Sequence, residues 1–115
     1  MTSIPFRVDN HNDDYRRSAK VDKYLFSPCF RQFHKNVFEQ LVDGIRDYRF
    51  DEIQDPYADH KFHTQGSLFS GKVLWKIENL GGEYGSEANS NSRIVVSLID
   101  VDQEISVKEL NSIAA

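Results

Sequence analysis

Six apolar residues, Phe30, Phe33, Val37, Leu41, Ile45 and Tyr48, follow one another at steps of three and four. That spacing puts them on one face of an α-helix, with Arg31, Lys35, Glu39, Asp43 and Asp47 on the other. A helix with one apolar face needs a second apolar layer to cover it, so the rest of the chain has to supply one. Ser27-Pro28 is a suitable start, because Ser accepts from an orphan N–H and Pro fits the first helical position. The pattern predicts one long helix over about Pro28 to Arg49. Gly44, which costs a helix interior up to ~1 kcal/mol relative to Ala, is expected to let it approach a sheet closely.

Strand patterns supply the second layer. Val21 to Phe26 is short and rich in branched and aromatic residues. Phe62–Phe69 and Lys72–Glu78 flank the two-residue turn Ser70-Gly71 and read as a hairpin. In its second arm Val73, Trp75 and Ile77 alternate with Leu74, Lys76 and Glu78, so the first three should meet the helix. Arg93–Val101 is apolar on both faces, which suggests a central strand covered twice, by the C-terminal segment or by a second subunit. In that C-terminal segment, residues 103–115, Ser106 and Glu109 have capping-box spacing, with Ile105 and Leu110 as the staple. Near the start, Asp9 or Asn10 would cap a short helix through Tyr15 and Arg16, and residues 1–10 read as a flexible arm. The expectation is one α+β domain over residues 1–115: a long amphipathic helix on a three- or four-stranded antiparallel sheet, with short terminal helices. At 39% hydrophobic and 12% aromatic residues, the composition suits a packed core.

Charge narrows the function. The net charge of −4 argues against a sequence-independent grip on nucleic acid, which needs many cations. Cys29 stands alone, so no intrachain disulfide is possible. Met1 to Phe6 has neither a basic n-region nor an apolar h-region, and no stretch approaches bilayer-spanning length, so a cytoplasmic location and no membrane contact are expected.

The densest polar stretch is Asp55-Pro56-Tyr57-Ala58-Asp59-His60-Lys61-Phe62-His63. A candidate polar site comprises Tyr57, His60, His63 and Lys76. An acid–base pair of His60 with Asp55 beside Trp75 is the enzymatic alternative. His60 and His63 would point to opposite faces of a strand, and no helical His pair or second Cys accompanies them, so neither a metal nor a cofactor is expected. A turn capped by Asp55 is the plain structural reading. Gly81-Gly82-Glu83-Tyr84-Gly85 lacks a Lys and a following helix, and reads as a connector rather than a phosphate loop. Cys29 reads as a packed thiol.

Acidic residues fall into three groups. Asp51, Glu52, Asp55 and Asp59 surround the polar loop; Glu78, Glu83 and Glu87 follow; Asp100, Asp102 and Glu104 close the chain. The first two groups are the candidate partner-binding residues, suited to a protein or nucleoprotein with a basic surface. A homodimer is the remaining possibility for the twice-apolar strand.

The order Asn12-Asp13-Asp14-Tyr15-Arg16, Asp55-Pro56-Tyr57-Ala58-Asp59-His60-Lys61-Phe62, Trp75-Lys76-Ile77-Glu78 and Arg93-Ile94-Val95-Val96-Ser97-Leu98 resembles an uncharacterised bacterial family, the domain of unknown function numbered three-seven-six-eight. Its members show N-D-x-F-R, D-P-Y-G-E-H-D-F-G, W-K-I-D-Y-Y-D and R-V-L-T-I-M-L segments in that order. The resemblance spans roughly residues 12–102. Ala58 and His63 stand where the family has Gly, and Lys61 where it has Asp; Asn79, Leu80 and Gly81 replace the polar end of the third motif. The family has no assigned activity, and its members are common on plasmids and prophages. What the resemblance implies is mobile-element biology and nothing sharper. Small, acidic, single-domain proteins of mobile elements often inhibit or regulate a host complex, defence complexes such as CRISPR effectors included, and that is the function expected here.

Overall fold

The computed structural model describes residues 8–52, 54–79, 87–89, 91–100 and 102–113. Among the described residues three α-helices and four strands make an α+β fold: α1 (Val8–Ser18), β1 (Tyr24–Phe26), α2 (Lys35–Arg46), β2 (Gln65–Leu68), β3 (Val73–Asn79), β4 (Ser92–Leu98) and α3 (Gln103–Ile113). Short 3-10 turns at Val21–Lys23 and Pro28–Gln32 flank β1.

The sheet order is β1-β4-β3-β2. β2, β3 and β4 form an antiparallel meander, whereas β1 runs parallel to β4. The sheet is therefore mixed rather than antiparallel. The chain leaves β1, crosses through α2 and the hairpin, and returns beside β1 in the same direction, as a parallel pair requires. Val73, Trp75 and Ile77 of β3 are buried on one face, as the alternation predicts, and Ile94, Val96 and Leu98 of β4 are buried on the same face. α2 covers them with Val37, Leu41, Val42 and Ile45. Fully burying one such side chain contributes roughly 1.5–3 kcal/mol. A Cβ on Gly44 would lie 3.1 Å from Leu68 Cδ1, so this glycine does bring α2 close to β2.

The single long helix does not form. Pro28–Gln32 is a 3-10 turn, Phe33 and His34 are extended, and the α-helix begins at Lys35. A tertiary contact satisfies the backbone at the break: Asn111 of α3 accepts from His34 N at 2.8 Å and donates to Gln32 O at 3.0 Å. The apolar spacing runs through the break unchanged, because Phe30 stays buried and Phe33 packs at the core margin.

Other boundaries shift for local reasons. The first strand begins only at Tyr24, after a 3-10 turn. Asp9 and Asn10 lie within α1 rather than capping it. Phe62 and His63 belong to a turn and not to β2, since His63 has a left-handed φ of 57°. Ser70-Gly71 does make the two-residue turn: both have positive φ and Lys72 N donates to Phe69 O. α3 starts before the expected capping box. Asp102 Oδ1 accepts from Ile105 N at 3.1 Å, and Ser106 lies buried inside the helix.

α3 packs on the Pro28–Gln32 turn and sends Val107 and Leu110 into the core shared by α2 and the inner sheet face. It does not supply a second cover for β4. On the outer face Val95 is half-buried, and Leu25 beside it is 57% exposed. Among the described residues no helix is long and apolar enough to cross a membrane.

Candidate functional site

The stretch from Asp55 to Thr64 folds as a loop laid along the outer edge of β2. Asp55 Oδ2 accepts from Tyr48 Oη and from Ser67 N, both at 2.6 Å. Its Oδ1 accepts from Tyr57 N at 3.0 Å and from Ser67 Oγ at 2.7 Å. Asp59 Oδ1 accepts from Lys61 N and Phe62 N, its Oδ2 from Thr64 Oγ1, and Asp59 N donates to Gln65 O. The Asp55 carboxylate thus occupies the edge donor Ser67 N, and the Asp59 backbone N–H the edge acceptor Gln65 O, that β2 would otherwise present. Burial alone would raise the Asp55 carboxyl, but the hydrogen bonds from Tyr48, Tyr57 and Ser67 outweigh it and hold it below the ordinary carboxylate range. Burial, then the Asp55 bond, pushes the Tyr48 phenol upward.

α1 anchors this loop. Asn12, fully buried, donates to Phe62 O at 3.0 Å and accepts from Ala88 N at 2.8 Å. Asp13 lies 3.0 Å from His63 Nδ1 through either oxygen and accepts from Arg16 Nη1 at 2.7 Å. Tyr15 Oη donates to Ser92 O at 2.8 Å. Arg16, fully buried, donates to Ile45 O and Tyr48 O at 2.7 Å each, meeting carbonyls at the C-terminal end of α2. Its guanidinium also lies 5.3 Å from the Trp75 ring and 5.5 Å from the Phe50 ring. Burial lowers the Arg16 pKa and Asp13 opposes the fall.

The proposed polar site is not assembled. Asp55 is committed to Tyr48, Tyr57 and Ser67 and makes no pair with His60. His60 is exposed, with its ring edge-on to Phe50 at 6.0 Å. His63 stacks on Phe50 at 4.0 Å and pairs with Asp13, so both His rings meet one Phe rather than opposite faces of a strand. Lys76 projects from the outer sheet face, opposite to Trp75, and lies 3.5 Å from Glu78. Tyr57 is 39% exposed and lines a groove of about 510 Å³ with Pro56, Leu68 and Phe69. Among the described residues no group of three His, Cys, Asp or Glu is placed to hold a metal ion. Cys29 is partly buried, and burial pushes its thiol pKa up.

The acidic groups divide as well. Asp55 and Asp59, expected at a partner surface, are spent inside the loop. Asp51, Glu52, Glu78 and Glu87 are exposed, and Glu83 lies outside the described residues. Glu52 is 3.6 Å from Arg49. Asp102 caps α3 and Glu104 lies 4.0 Å from Lys108. Asp43, Asp47 and Asp51 are exposed at four-residue spacing, and among the described residues no ion pair is found at any of them.

The residues that sequence reasoning missed are Asp13 and Arg16. Positions 12, 13 and 16 of a helix share one side, and that spacing was the available signal. No family model, curated protein or solved structure matches the chain.

Proposed function

We propose that this chain is a protein-binding module of a phage or other mobile element, working in the cytoplasm to inhibit or regulate a host macromolecular complex. It would do so by presenting carboxylates to a basic surface. The observation that carries this reading is the exposed series Asp43, Asp47 and Asp51, continued by Glu52, along the solvent side of α2 and the segment after it. Exposed carboxylates repeated at four-residue spacing steer encounter with a basic partner and set its register. Asp55, Asp59 and His63 of the loop are engaged in holding the fold, which favours binding over chemistry there. Membership of the family resembled is part of the proposal. It is supported by the left-handed backbone at His63, where the family carries Gly, and by the anchoring of the D-P-Y loop by the N-D-x-Y-R residues.

The test is a tagged pull-down from host lysate at low and high salt. A basic complex should co-purify at low salt, be released at high salt, and be lost from a triple variant Asp43→Lys, Asp47→Lys, Asp51→Lys. Identical capture by the parent and the variant would sink the proposal. Leu25 favours a second reading, in which two copies meet through their outer sheet faces. Sedimentation as a monomer at micromolar concentration would exclude that dimer.

A further inference from the structure

We propose that the free edge of β1, with the aromatic pocket beside it, binds an extended acidic segment of a partner protein by strand addition. The two sheet edges are treated differently. At β2 the edge groups Ser67 N and Gln65 O are taken by Asp55 and by Asp59 N. At β1 nothing among the described residues does the same. Ser27 N donates to Val96 O, so strand alternation turns Leu25 toward β4 and the Phe26 N–H and C=O outward. The Tyr24 C=O turns outward with them, while Tyr24 N is already bonded to Val21 O.

Next to this edge lies a pocket of about 330 Å³ lined by Phe26, Ser27, Pro28, Phe30, Arg31 and Phe38. Its aromatic wall is preformed: the Phe26 ring lies 4.7 Å from Phe38 and 5.6 Å from Phe30. A strand added beside β1 would aim the side chain opposite Phe26 toward the helix layer, into this pocket. That is the division of labour in strand addition, where main-chain bonds give affinity and pockets for alternate side chains give selectivity.

Charge selects the occupant. Residues 17–31 hold Arg17, Lys20, Lys23 and Arg31 against the one carboxylate of Asp22, in a chain whose net charge is −4. Arg31, on the pocket wall, is exposed. The fitting ligand is an extended peptide with an apolar or aromatic side chain flanked by Asp or Glu. The outward backbone groups and the open, mostly apolar pocket suit a peptide better than a phosphate backbone.

The test pans a random dodecapeptide library against the immobilised full chain and titrates the best synthetic peptide. Enrichment of peptides with an apolar residue next to or two from Asp or Glu is expected, together with slowed amide exchange at Phe26 when the peptide is bound. Arg31→Glu, at an exposed position, should weaken binding about tenfold without changing the melting temperature. The triple Lys variant of α2 should bind the peptide as well as the parent, which separates this surface from the one proposed above. Failure to enrich any peptide, enrichment without carboxylates, or an unprotected Phe26 amide would overturn the proposal. So would displacement of the peptide by a tighter-binding oligothymidylate, which would mark a nucleic-acid surface instead.

Discussion

Arg16 shows how one side chain can replace an ordinary helix cap. Its fork reaches two carbonyls at the end of α2 and one carboxylate in α1, so each of its three nitrogens has an acceptor. Asp55 performs the complementary task with both oxygens. Asp55→Ala should cost about 2–3 kcal/mol, because Ser67 N and Tyr48 Oη lose a charged acceptor; denaturant melts would measure it. The folded pKa of Asp55 lies below its unfolded value. Its stabilisation is therefore complete above the ordinary carboxylate pKa of about 4 and is lost as pH falls through the depressed folded value. In Asp55→Asn that share of the acid-limb loss should vanish from the pH–stability curve.

His63 combines a strained backbone with a favourable side-chain pair. His63→Gly relieves the left-handed backbone while losing the Asp13 contact, whereas His63→Ala loses the contact and keeps the strain. The Gly variant should be the more stable of the two by about 1 kcal/mol, and equal melting temperatures would contradict that account.

At the scale of elements, contacts between segments decide where helices and strands stop. Asn111→Ala should destabilise by about 1 kcal/mol and speed amide exchange at His34, because the break before α2 loses its partner. A close approach governs β2. A Cβ on Gly66 would lie 2.7 Å from Tyr48 Cζ and 3.0 Å from Trp75 Cζ2. Tyr48 is held by Asp55 and cannot yield cheaply, so Gly66→Ala should cost roughly 1–3 kcal/mol, read as a lower denaturation midpoint. The elements themselves were legible where apolar spacing was strong: the core side of α2, the inner residues of β3, and the Ser70-Gly71 turn. Their ends were less so. Periodicity reports which side faces the core and is blind to a partner such as Asn111 from 77 residues away.

Over the whole molecule, one core lies between the sheet and three helices, and the other sheet face carries Leu25, Val95, Lys76 and Glu78. Substituting Leu25, at 57% exposure, by Ser should change stability by less than about 0.5 kcal/mol, in contrast to any inner-face residue. Charge is also unevenly spread, with cations in the segments flanking β1 and exposed Asp43, Asp47 and Asp51 from the last turn of α2 onward.

The sequence by itself determined the α+β class, the core-facing residues of α2 and β3, and the turn cap by Asp55, because local periodicity and turn chemistry act over a few neighbours, whereas which face of β4 is buried came only from the fold. Only the tertiary structure decided that β1 lies parallel to β4, that the expected long helix breaks at Phe33-His34, and that His63 pairs with Asp13 instead of working with His60. Those outcomes depend on buried polar groups finding partners across the fold, and spacing along the chain carries no record of which partner stands opposite.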